Sequence, residues 1–153
     1  MKRIYFFWVL FAEAVGGIAG FLTREDVKIY AESIVKPPYS PPAVVFPVVW
    51  GILYALMGIS AARVYVSPES PDRTKGLRLF LLQLGINFVW CFVFFTFRAY
   101  MWGAVLVAVM FVLVAWMAMC FKRVDVLSSY LQVPYLVWLM IAEYLSLGVW
   151  YLN

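Results

Sequence analysis

PPYSPPAVVFPVVWGILYALMGISAARVY, from Pro37 to Tyr65, decides the fold. Pro37, Pro38, Pro41 and Pro42 open it, withholding backbone N–H donors and fixing φ, so a rigid, non-helical lead-in is expected. From Ala43 the chain turns apolar and stays so to Ala62, about the twenty residues that cross a hydrocarbon layer roughly 30 Å thick. On a helix, Trp50, Tyr54, Met57 and Ala61 fall on one face, and Gly51, Ala55, Gly58 and Ala62 form a small-residue seam beside it. The first face can line a pocket; the seam lets a neighbouring helix come close.

Outward from this stretch, four more apolar runs appear. Ile4 to Leu22 is interrupted only by Glu13 and lacks the short apolar core and cleavage site of a secretory signal, so it reads as a first span. Gly16 and Gly20 on it have the small-xxx-small spacing of close helix contacts. Leu77 to Phe97 carries Gln83, Asn87, Trp90 and Phe94 on one face, and amides at that depth must look inward to partners or a ligand. Met101 to Phe121 and Tyr130 to Leu152 complete the set, the last with Pro134, Trp138 and Ala142 stacked. The expectation is an all-α membrane protein: one domain over residues 1–153, a five-transmembrane-helix bundle with spans at 4–22, 43–65, 77–97, 101–121 and 130–152.

Between spans, residues 23–42 form the one long loop. Its mixture of charged residues with Ile29, Tyr30, Ile34 and Val35 suggests a short amphipathic helix over the membrane face, and its length suits a lid. Ser67 to Gly76 and Lys122 to Ser129 read as polar links, and Arg98 to Tyr100 as a tight one. Eight basic residues fall on the side of the amino terminus and four on the other, which predicts a cytoplasmic amino terminus and an external carboxyl terminus and lid, in the cell membrane.

Composition narrows the chemistry. At 66% apolar and 13% charged residues, the chain departs from soluble globular usage, and its net charge of +4 is too scattered for a nucleic-acid surface. Cys91 and Cys120 lack metal-ligand spacing, and the absence of histidine rules out histidine-based catalysis and ligation. No metal site and no obligatory cofactor are indicated. Glu13 and Glu143 lie within spans, where an ionisable group is a functional candidate by default. Glu143 is about 140° around its helix from Trp138, which turns it toward a helix interface and suggests a carboxyl hydrogen-bonded between helices.

Five spans, Gly16, Gly17, Gly20, Thr23 and Arg24 in GGxxGxxTR, Tyr30 followed by Lys36, Pro37, Pro41 and Pro42, VVWxxLYxLMG (Val48 to Gly58), QLxxNxxWxxxFF (Gln83 to Phe95) and PYLxWxxxAxYLSxxxxxLN (Pro134 to Asn153) occur in one order. Together they resemble the TspO/MBR family, the tryptophan-rich sensory proteins known in mitochondria as translocator protein or peripheral-type benzodiazepine receptor. That resemblance implies a five-helix bundle, commonly a homodimer through the third span, that binds porphyrin or haem, and in some members sterols, in a cavity under the first loop. The positions matching the family's pocket are Trp50, Tyr54, Asn87, Trp90, Trp138, Ala142 and Leu145. The family's two loop tryptophans correspond to Ile29 and Val44, its Gly-Pro to Pro47-Val48 and its fifth-span asparagine to Ser146. The missing loop rings weigh against stacking by the lid and against tryptophan-mediated porphyrin breakdown.

A flat apolar ligand wants several aromatic faces with a few polar anchors, and Trp50, Trp90, Trp138, Tyr54 and Asn87 meet that need. Trp8, Trp102, Trp116 and Trp150 read as interfacial or packing residues. No nucleophile, base or metal site stands out. A receptor or sensor for tetrapyrroles or sterols, able to transport them, is therefore preferred to an enzyme degrading porphyrin oxidatively through its pocket tryptophans.

Overall fold

The computed structural model describes residues 1–153, and no strand occurs in it. Helix α1 (Lys2–Leu22) leads through Thr23 into the short α2 (Arg24–Ser33); α3 (Val45–Tyr65), α4 (Pro71–Cys91) and α5 (Tyr100–Val124) follow, then one short α6 (Val126–Tyr130) and α7 (Val133–Leu152). Five of these stretches are long and apolar enough to cross a membrane. Large apolar side chains such as Phe6, Phe7, Leu10, Val112 and Met119 stand exposed around the bundle, an outer surface suited to lipid. This is an all-α integral membrane protein.

The apolar spacing locates the spans, and local chemistry moves their ends. The polar link expected over 67–76 is half helix: the Ser70 hydroxyl accepts from the Arg73 N–H at 3.1 Å and Pro71 takes a first-turn position, so α4 starts there. Its far end passes through a π-helical turn, Phe92–Thr96, before Arg98 reverses the chain at φ 54°. The link expected over 122–129 is also largely helical. Helix α5 runs on to Val124, and the Asp125 carboxylate caps α6 by accepting from the Ser128 N–H at 3.1 Å. The fifth stretch able to cross a membrane runs Val126–Leu152 and is broken by a turn at Leu131–Gln132, after which α7 begins at Val133.

Helix α3 packs closely on α1, α4 on α5, and α5 on α7. Part of the expected small-residue seam is used: a Cβ at Gly58 would run into the Val9 backbone, so the two backbones meet there. Gly51 and Gly20 face open space and do no such work. Trp8 packs in the core, its ring 5.7 Å from that of Phe80, whereas Trp102, Trp116 and Trp150 are exposed.

Residues 24–42 fold over one end of the bundle as a lid. The amphipathic helix expected there is α2, whose Tyr30 ring packs 5.4 Å from Phe94 and 5.2 Å from Phe95 at the π turn. The Thr96 hydroxyl donates to the Asp26 carboxylate at 2.8 Å. On the opposite edge, the Tyr144 hydroxyl donates to the Pro38 carbonyl at 2.6 Å, and the Asn153 amide brackets Val35, donating to its carbonyl at 2.7 Å and accepting from its N–H at 3.2 Å. Pro37 is buried on Gly148, where an added Cβ would sit 2.6 Å from the proline ring. The proline-rich lead-in is thus strapped to the last three turns of α7 and its cap, Asn153. Just past these straps, Tyr39 takes φ 65° with its side chain in the open.

Candidate functional site

Beneath the lid, α3 and α7 face each other across a layer of rings. Trp50 stacks on Tyr54 one turn along α3, with centroids 5.5 Å apart and planes 29° apart. From α7, Trp138 stands edge-on to Trp50 at 6.4 Å and to Phe46 at 5.6 Å, and Tyr135 meets Trp50 at 6.2 Å. Such edge-to-face pairs satisfy the ring quadrupoles and hold the two helices apart by a ring's breadth. Room for the Tyr54 ring comes from Gly16 of α1, where a Cβ would meet that ring.

A chain of polar groups runs below the rings. The Tyr54 hydroxyl donates to Asn87 Oδ1 at 2.7 Å, Asn87 Nδ2 donates to the Tyr135 hydroxyl at 3.0 Å, and that hydroxyl donates to Gln83 Oε1 at 2.8 Å. All four side chains are buried. Amides at this depth would be costly alone, and each finds partners on the neighbouring helices, as their inward face requires. The chain ties α3, α4 and α7 together at one level.

Trp50, Tyr54, Asn87 and Trp138 therefore converge. Ala142, one turn beyond Trp138, packs half-buried against the same core, its carbonyl accepting from the Ser146 hydroxyl at 2.7 Å, and Leu145 is buried nearer the lid. Trp90 does not join them. Its Nε1 donates to the Gly103 carbonyl of α5 at 3.2 Å and its ring stacks on Phe94 at 4.9 Å, which places it in a second aromatic cluster under α2 with Phe95. Instead of an open hollow, the Trp50–Trp138 gap is filled by the rings themselves.

Two participants are absent from the positions matched to the family's pocket. Tyr135, at the hub of the polar chain, lies three residues before Trp138 on the same face of α7, and Phe46 lies four before Trp50; helical spacing would have found both. The carboxylates separate. Glu13 stays on α1, and Glu143 faces a groove between α5 and α7, a helix interface as its angle implies, but its buried Oε2 has no hydrogen-bond partner.

A model of the TspO/MBR family matches residues 6–152. Protein CrtK of Rhodobacter capsulatus is 36% identical over 80% of this chain and 77% of its own. Tryptophan-rich protein TspO of Chlorobaculum tepidum is 33% identical over 92% and 89%, and the translocator protein of Ovis aries 31% identical over 88% and 82%.

Proposed function

The chain belongs to the TspO/MBR family of integral membrane proteins, and on that premise we propose that it binds a flat tetrapyrrole, protoporphyrin or haem, or a sterol, between α3, α4 and α7 beneath the lid. The observation that carries this reading is the convergence of Trp50, Tyr54 and Trp138 above a buried chain of amide and hydroxyl groups, apolar faces with fixed polar anchors in one place. A planar ligand would take the place that the Trp50 and Trp138 rings now give each other, and Asn87 and Tyr135 would offer it a donor and an acceptor. The lid, held at both edges by hydrogen bonds near the protein surface, would part to admit it. Receptor, sensor or carrier activity would follow from that one binding event, with the lid and amino terminus on opposite sides and the amino terminus cytoplasmic.

Titration of the purified protein with haem, protoporphyrin and a sterol, read as quenching of its tryptophan fluorescence, tests the proposal. Saturable quenching by one of them should weaken about tenfold or more in Trp138→Ala, the equivalent of roughly 1.4 kcal/mol. Quenching that is unsaturable, or unchanged in that variant, would overturn it.

A further inference from the structure

On the flank of the bundle away from those rings, α5 and α7 border a groove of about 480 Å³ that opens to the outer surface, lined by apolar residues and by a single polar one, Glu143. That volume lies within the roughly 300–1,000 Å³ typical of small-molecule sites. The groove exists because Ala104 and Ala108, one turn apart on α5, are too small to fill the space opposite Glu143, Leu147 and Trp150, which share one face of α7. Glu143 lies about 15 Å from either end of α7 at 1.5 Å per residue, in the middle of the span. A phospholipid head group, kept at the interface, does not come to that depth. Oε2 of Glu143 is buried without a hydrogen-bond partner, and no other charged side chain lines the groove. An orphaned carboxyl in hydrocarbon is costly and marks a site whose partner comes from elsewhere.

We propose that this groove is a lateral binding site for a lipophilic amine, with Glu143 as its counter-ion. Charge complementarity selects the amine. A neutral amine reaches the groove through the hydrocarbon, the carboxyl proton passes from Glu143 to the amine nitrogen, and the resulting ammonium and carboxylate stay paired; no other bond changes. Low dielectric strengthens that pair, and the Trp150 ring adds an aromatic face to the apolar lining. The alanine-floored groove takes the apolar body. This site is separate from the ring layer between α3 and α7.

The test uses the full chain in nanodiscs, with imipramine as the lipophilic tertiary amine and iminodibenzyl, its tricycle without the amine, as the uncharged control. Saturable imipramine binding above that of empty nanodiscs is expected, with iminodibenzyl failing to displace it. Glu143→Gln removes the counter-ion and Ala108→Phe fills the groove, and each should weaken binding at least tenfold. A smaller loss in either variant, displacement by iminodibenzyl, or no saturable binding to the parent protein would overturn the proposal. Haem quenching measured on the same two variants should be unchanged, so failure of the tetrapyrrole reading appears in that titration and not in this one.

Discussion

The Tyr135 hydroxyl accepts from one buried amide and donates to another, so two side chains depend on one oxygen. Tyr135→Phe would leave Asn87 and Gln83, both buried, each short of a partner. A loss of about 1–3 kcal/mol is expected, seen as a lower thermal midpoint in detergent, whereas a midpoint within a degree of the parent would show the amides re-pairing. Asp125 makes a comparable case at the membrane surface. Arg63 holds it with Nε to Oδ2 at 2.7 Å and Nη2 to Oδ1 at 3.1 Å, and Ser128 adds hydrogen bonds from its hydroxyl and its N–H. These donors, Arg63 foremost, bring the carboxyl from an ordinary 3.8 down to about 2, against the opposing effect of burial. A carboxylate favoured in the fold contributes stability that is present above the unfolded value and lost as pH falls through the folded one. Asp125→Asn should therefore lower the midpoint at pH 7, and the difference from the parent should shrink as the pH is taken from 4 toward 2. A difference independent of pH would assign the effect to the cap alone.

Among the elements, the lid is the one held by few apolar contacts and several hydrogen bonds near the surface, which is the signature of a segment that opens locally. Its seat on α7 depends on Gly148 having no side chain. Gly148→Val would drive a Cβ into the buried Pro37 ring and should free residues 35–42 while leaving the spans folded. Hydrogen exchange confined to the lid peptides should rise at least tenfold; unchanged protection would mean that the proline segment simply shifts along the helix. The other strap responds to base. Burial, with a smaller effect from Tyr100, pushes the Tyr30 phenol up to about 12, so its docked form is the neutral one. Docking of α2 is thus fully supported below pH 10 and is lost as pH rises toward 12.

At the scale of the whole molecule, α4 turns its amides inward and leaves Leu81, Leu82, Gly85 and Val89 on the outside, with open space at Gly85. We propose that face as the contact between two copies. Disulfide cross-linking of a Leu82→Cys variant in native membranes should give a dimer, and a Gly85→Trp change should suppress it; a monomer only in both would remove the assignment. Orientation is open to an equally direct measurement. A membrane-impermeant thiol reagent should label Tyr39→Cys, at a lid position 99% exposed, from outside intact cells, and labelling only after lysis would reverse the topology.

Spans, their order and their inward faces were legible in the sequence because a bilayer imposes length on every crossing and buried amides impose direction on the helix that carries them. Gln83, Asn87 and Tyr54 declare themselves in this way, and the lid helix shows in its mixed composition. Tertiary structure alone decided which rings meet: Trp90 shares the face of Asn87 but is turned away by the Gly103 carbonyl, which lies one helix further on and nowhere near it in spacing. It also decided that α4 begins at Pro71, that a π turn precedes Arg98, and that Glu143 faces an alanine-floored groove with no donor in reach. Periodicity reports which side of a helix is hidden, but the identity of the neighbour depends on how separate helices pack, and that is settled by volume and hydrogen bonding across the bundle.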